Sequence, residues 1–155
     1  MGRRPFKNKK KFEKIFIGRQ MIGPVTAAVM EAHSKALAPL GLSAREAMVI
    51  ANCAWGEANT PGALAWFSGL DVSTMTRMLD RLEAKGLIKR SRGGDDRRKV
   101  FVRLTSRGLA RFRKGLPIAA AIARTAWRGV TKQEIRGLRK VFNKILRNLG
   151  HEGKL

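Results

Sequence analysis

Between residues 71 and 86 the chain limits its own architecture more than anywhere else. Val72, Met75, Leu79 and Leu82 recur at three- and four-residue spacing, with Met78 at the edge of that face. Ser73, Thr74, Thr76, Arg77, Asp80 and Arg81 fall on the other faces. The pattern predicts a helix that packs on one side and is open to contact on the other. Asp71 stands where its carboxylate can accept from the first-turn N–H groups and meet the positive end of the helix dipole. Lys85-Gly86 supplies the stop, a cation in the last turn followed by a residue that tolerates the left-handed conformation.

The neighbours of this helix extend the plan. Pro61 suits a first helical turn, and Ala63, Leu64, Trp66 and Phe67 make a compact apolar helix ending in the tight turn Ser68-Gly69-Leu70. On the other side, Leu87 to Ser91 reads as a strand, and Val100, Val102 and Leu104 alternate with Phe101 and Arg103. Arg92 to Arg98 joins the two as a glycine-containing basic tip. Helix, turn, helix and ribbon in that order are the plan of a winged helix-turn-helix, and residues 43–105 are assigned to it. The fold class expected is mostly α (α+β).

Residues 1–14 form a basic arm, with seven Lys or Arg against Glu13, read either as a solvated disordered tail or as an arm that tracks phosphates. A long helix is expected from Ile15 to Leu40, with Pro24 in its first turn or at a kink, and residues 15–42 are grouped with it. Ser43 with Glu46 is a capping box for a second helix reaching Trp55 and carrying Ala47, Ile50, Ala51 and Ala54. Ser106 is placed as the cap of a further helix, with a break or kink near Gly115 and Pro117. Thr131 with Glu134 forms a second capping box. From there Ile135, Leu138, Val141 or Phe142, Ile145 and Leu149 give an apolar stripe. That stripe must be buried, against its own chain or against another copy.

Charge narrows the function. Thirty-three Lys and Arg against eleven Asp and Glu leave the chain at +22, which favours nucleic acid first and an anionic membrane second. The membrane reading is the weaker, since no basic amphipathic helix with a bulky aromatic face accompanies the arm and no apolar run spans a bilayer. A single cysteine rules out an internal disulfide framework and suits a reducing cytoplasm, where the chain would be nucleoid-associated. Two histidines, no tyrosine, no phosphate loop of the usual spacing and no metal-ligand pattern point to no enzyme, cofactor or metal site. Asp95-Asp96, among Arg97, Arg98 and Lys99, are salt partners that orient the tip rather than metal ligands.

Thr-Arg-Met-Leu-Asp-Arg-Leu at 76–82, Lys-Gly-Leu-Ile at 85–88 and Asp-Arg-Arg-Lys-Val-Phe-Val-Arg-Leu-Thr at 96–105 resemble the multiple antibiotic resistance regulator (MarR) family of bacterial transcription factors. The resemblance implies a homodimer joined through its N- and C-terminal helices, 15–42 and 106–150, on double-stranded DNA. On the recognition helix Arg77 is the first candidate for a guanine edge, with Arg81 beside it and Ser73, Thr74 and Thr76 suited to phosphates or base edges. In the wing, the resemblance places Arg98 in the minor groove, braced by Asp96, with Arg97 and Lys99 toward phosphate or solvent. It also suggests a small aromatic effector near Met30, His33 and Trp55, set against the plainer reading of these residues as core. Cys53 is either a redox switch, as in some similar proteins, or a buried inert thiol. A repressor on a pseudo-palindromic operator is therefore expected, the alternative being an architectural protein that coats DNA by charge.

Overall fold

The computed structural model describes residues 9–92 and 99–151, with the side chains of 9–16 and 19 excepted. Two compact units divide the chain, Met1–Ile122 and Ala123–Leu155. In the first, α1 spans Lys9–Leu37 and runs into a single 3₁₀ turn, Ala38–Leu40. After it come α2 (Ala44–Trp55), α3 (Pro61–Ser68), α4 (Val72–Ala84), β1 (Ile88–Arg92), β2 (Val100–Leu104) and most of α5 (Ser106–Ala126). The second unit holds the end of α5 and α6 (Lys132–Asn148).

Helix α1 starts six residues before the expected Ile15, so Lys9 to Lys14 are helical rather than part of a disordered arm. Residues 1–8 lie outside the described residues. Pro24 sits inside the helix, well beyond the first turn. Both capping boxes form: Ser43 and Thr131 each accept from the N–H three residues on, and Glu46 and Glu134 reach back to the cap N–H.

Leu64 of α3, Met75, Leu79 and Leu82 of α4, Val49 and Ile50 of α2, Leu37 of α1, Ile88 and Val102 make one core, each essentially without solvent contact. Burying a side chain of that size stabilises the fold by about 1.5–3 kcal/mol. Met78 belongs to this core, whereas Val72, expected on the packed face, is 57% exposed. A helical side chain leans back over the turn before it, and at the first helical position no such turn exists. Trp66 and Phe67 of α3 are likewise half exposed, leaving Leu64 and Ala65 to pack.

The two strands pair antiparallel, Ile88 opposite Leu104 and Arg92 opposite Val100. Asn59, in the loop before α3, accepts a bond from Val102 N at 2.7 Å and so ties that loop to the sheet. Thr105, not Ser106, caps α5: its Oγ1 accepts from Gly108 N at 3.0 Å and donates to Gly86 O at 2.7 Å. A Cβ on Gly108 would lie 1.9 Å from Leu87 O, so only glycine lets α5 cross the start of β1 this closely.

Of the break or kink expected near Gly115 and Pro117, the break does not occur; α5 continues through both, with Pro117 inside the helix. Pro117 removes one helical bond, while Gly115 lies against Leu37 and Leu40. Packing on one side can hold a helix across a single missing bond.

Candidate nucleic-acid interface

Helix α4 presents its polar side because Met75, Met78, Leu79 and Leu82 bury the other one. Asp71 begins it as foreseen, with Oδ1 accepting from Thr74 N at 2.8 Å. The same carboxylate also takes the Ser73 hydroxyl at 2.5 Å and, through Oδ2, the Thr74 hydroxyl at 2.7 Å. The Ser73 hydroxyl, then the Thr74 hydroxyl and N–H, hold the Asp71 carboxyl well below the usual carboxylate range. Thr76 donates its hydroxyl to Val72 O at 2.9 Å.

All three hydroxyls singled out in the sequence therefore spend their proton inside the helix, leaving lone pairs to accept. Arg77 and Arg81 differ. Both are exposed, and among the described residues neither side chain has an ion pair or hydrogen bond. Free guanidinium donors stand on one face of α4, about 100° of helix rotation per residue placing Ser73, Thr76, Arg77 and Arg81 on the same arc.

The third cation of this region is not free. Arg90 of β1 bonds Glu83 through its backbone N at 3.0 Å, Nε at 2.9 Å and Nη2 at 2.5 Å, and reaches Asp80 at 2.8 Å. Its hydrogen bonds keep the Glu83 carboxyl below its ordinary value. The root of the ribbon is thus fastened to α4 by two of that helix's own carboxylates. Sequence spacing gave no sign of this brace, because it joins a helix to a strand across a turn. Asp96, Arg97 and Arg98, with Asp95, lie outside the described residues; Lys99 is exposed at the start of the return strand.

Behind α4 lies a junction the sequence did not reveal. Lys85, its capping residue, donates Nζ to Gly41 O at 3.1 Å and to Glu46 Oε1 at 2.7 Å. From α5, Arg111 Nη1 donates to Leu40 O at 2.8 Å. Two cations from two helices hold adjacent carbonyls of the turn between α1 and α2. Burial pushes the Glu46 carboxyl up, but bonds from Lys85 and Ser43 more than offset it, so the net shift is downward.

Next to that turn α1, α2 and α5 line an apolar pocket of about 270 Å³ that opens to solvent. Met30, His33 and Trp55, named from the sequence as one group, all line it, as do Leu37, Leu42 and Arg111. Trp55 stands edge-on to Phe112 with ring centroids 5.5 Å apart. His33 Nδ1 donates to Val29 O at 2.8 Å; a carbonyl can only accept, so in the neutral ring Nε2 is an acceptor. Cys53 is half-buried, and burial pushes its thiol up to about 11, which suits the inert reading.

Comparison with known proteins matches this geometry. The family model described as MarR family matches residues 42–100, from the start of α2 into the return strand. The uncharacterized HTH-type transcriptional regulator YdcH of Bacillus subtilis (strain 168) is 32% identical over 104 residues, 64% of this chain and 71% of that protein. The chain belongs to the MarR family. The multiple antibiotic resistance protein MarR of Escherichia coli (strain K12) is 36% identical over 74 residues, 48% of this chain. The chain spans about half the length of that relative, 51%.

Solved MarR-family structures extend the likeness across the helical flanks. A cysteine-to-serine mutant of E. coli MarR complexed with operator DNA is 26% identical, with TM-score 0.73 over 87% of this chain and 97% of that one. CouR from Rhodococcus jostii RHA1, bound to p-coumaroyl-CoA, is 25% identical, with TM-score 0.72 over 81% and 88%. The mostly helical winged fold expected from the sequence is the fold these proteins share.

Proposed function

We propose that the chain is a homodimeric, sequence-specific DNA-binding regulator, a repressor acting in the cytoplasm on nucleoid DNA. The observation that carries this is the face of α4, where Arg77 and Arg81 are exposed with unused donors while the opposite face is locked into the core. Two copies of α4 enter successive major grooves of a pseudo-palindromic operator, about 34 Å apart, Arg77 making paired bonds to a guanine. In the wing, Arg98 enters the minor groove, with Arg97 and Lys99 near phosphate and Asp96 as brace. Ser73, Thr74 and Thr76 serve as acceptors or as thymine-methyl contacts rather than as donors.

The terminal helices join the copies. In α6 and at its C-terminal cap, Leu138, Val141, Ile145 and Leu149 are 42–68% exposed, and in α1 Met21, Ile22 and Val25 are 43–64% exposed. Apolar stripes of this kind need a partner surface, and a second copy supplies one. A small aromatic effector occupies the cavity lined by Met30, His33 and Trp55. Filling it displaces Leu37, Leu42 or Arg111, hence the turn whose carbonyls Arg111 and Lys85 share, and through Lys85 the end of α4. The effector's unequal affinity for the two placements of α4 is the coupling free energy.

A second reading, a charge-driven DNA coat with little sequence preference, is favoured by the +22 net charge. Equilibrium binding of parent and Arg77→Ala to the best-bound duplex and to one of unrelated sequence separates the two. The regulator loses about 1–3 kcal/mol at its own site and little on other sequences; the coat binds both duplexes equally with either protein.

A further inference from the structure

We infer that α6 is a second DNA-binding surface, holding the phosphate backbone of a duplex independently of the recognition helix. At about 100° per residue, Lys132, Arg136, Arg139, Lys140, Lys144 and Arg147 fall within one arc of about 140°. The apolar stripe occupies the opposite half. All six cations are exposed, and among the described residues none forms an ion pair. The one acid of the helix, Glu134, lies outside that arc with its carboxylate tied to Thr131 N and Oγ1, each at 2.7 Å.

A rise of about 1.5 Å per residue spreads the six charges over about 22 Å. DNA carries a charge every 1.7 Å or so of its axis, and each neutralised phosphate releases condensed counterions. A continuous unpaired row of cations of this length is complementary to such a polyanion. Covering the apolar half, as dimerisation does, leaves the basic half open. An interfacial helix on an anionic membrane would need both halves at once. In a chain whose winged helix is itself a DNA-binding module, the matching polyanion is DNA.

The inference rests on the DNA-binding reading above, and its test keeps the two apart. Binding of a duplex of arbitrary sequence is measured against salt for the parent, for Arg136→Ala/Arg139→Ala/Lys140→Ala/Lys144→Ala, and for the milder Arg136→Gln/Lys140→Gln. Alanine keeps helix propensity, and helicity and elution volume verify the fold. The slope of log affinity against log salt falls by about 4 per protomer in the first variant and about 2 in the second, with affinity down at least tenfold at roughly 0.1 M salt. Arg136→Lys/Arg139→Lys, which keeps the charge, retains the parent slope. An unchanged slope in folded variants overturns the inference while leaving operator recognition by α4 intact; a parent that binds no duplex at all sinks both. Equal DNA binding by all variants together with variant-sensitive binding to phosphatidylglycerol vesicles assigns the face to membranes instead and also overturns it.

Discussion

At the residue scale, the contacts of Asp71 show how a polar helix face is thinned to its working groups. Periodicity puts Ser73, Thr74 and Thr76 on the exposed side of α4 with Arg77, and it reports only which face a residue lies on, not which groups are free to bond. Hydrogen bonding separates them, with the hydroxyl protons turned toward Asp71 and Val72 O. Gly108 carries the opposite lesson. Nothing in its spacing marked it, yet the Leu87 carbonyl fills the space where a Cβ would project. Gly108→Ala should therefore lower stability by about 3 kcal/mol through forced separation of α5 and β1, read as a fall in the denaturation midpoint. The same change at Gly137, which has open space around it, should be neutral or stabilising. Close approach between distant segments leaves no periodic signal, and so Gly108 could be found only in the fold.

At the element scale, starts were legible where a polar side chain closes the first turn, because that chemistry is local; two others were not, α1 beginning at Lys9 and α5 being capped by Thr105. Ser43, Asp71 and Thr131 each cap where their neighbours said they would. Breaks were not, since whether Pro117 interrupts α5 depends on what packs against the helix. The ties between elements were equally hidden. Glu83 with Arg90, and Glu46 with Lys85, join α4 to β1 and to α2.

Both carboxyls titrate in the folded chain below their ordinary value of 4.5. A depressed folded value means stability fully present above the ordinary value and lost as pH falls through the folded one. Chemical denaturation should thus give constant stability from neutral pH to about pH 5 and a decline below about pH 4.5. In Lys85→Met, where Glu46 loses its main depressing partner, that decline should be shallower, while the midpoint at neutral pH falls.

At the scale of the whole molecule, composition and terminal helices bear on assembly. A charge of +22 on one chain doubles to about +44 on a dimer, which explains why salt must control every binding measurement. The stripe of α6 was visible from its spacing, and it is exposed in the single chain. Leu138→Glu with Ile145→Glu should convert the protein to a monomer in sedimentation, without loss of helix content in the winged domain. A monomer presents one α4 in place of two and should lose paired half-site recognition.

Selection of bound fragments from random duplex DNA at about physiological salt, with Arg77→Ala beside the parent, tests the central claim most directly. The account predicts an inverted repeat whose half-sites lie one helical turn apart, enriched by the parent and lost in the variant. Equal recovery of unrelated sequences by both proteins would contradict it and leave charge alone as the basis of binding.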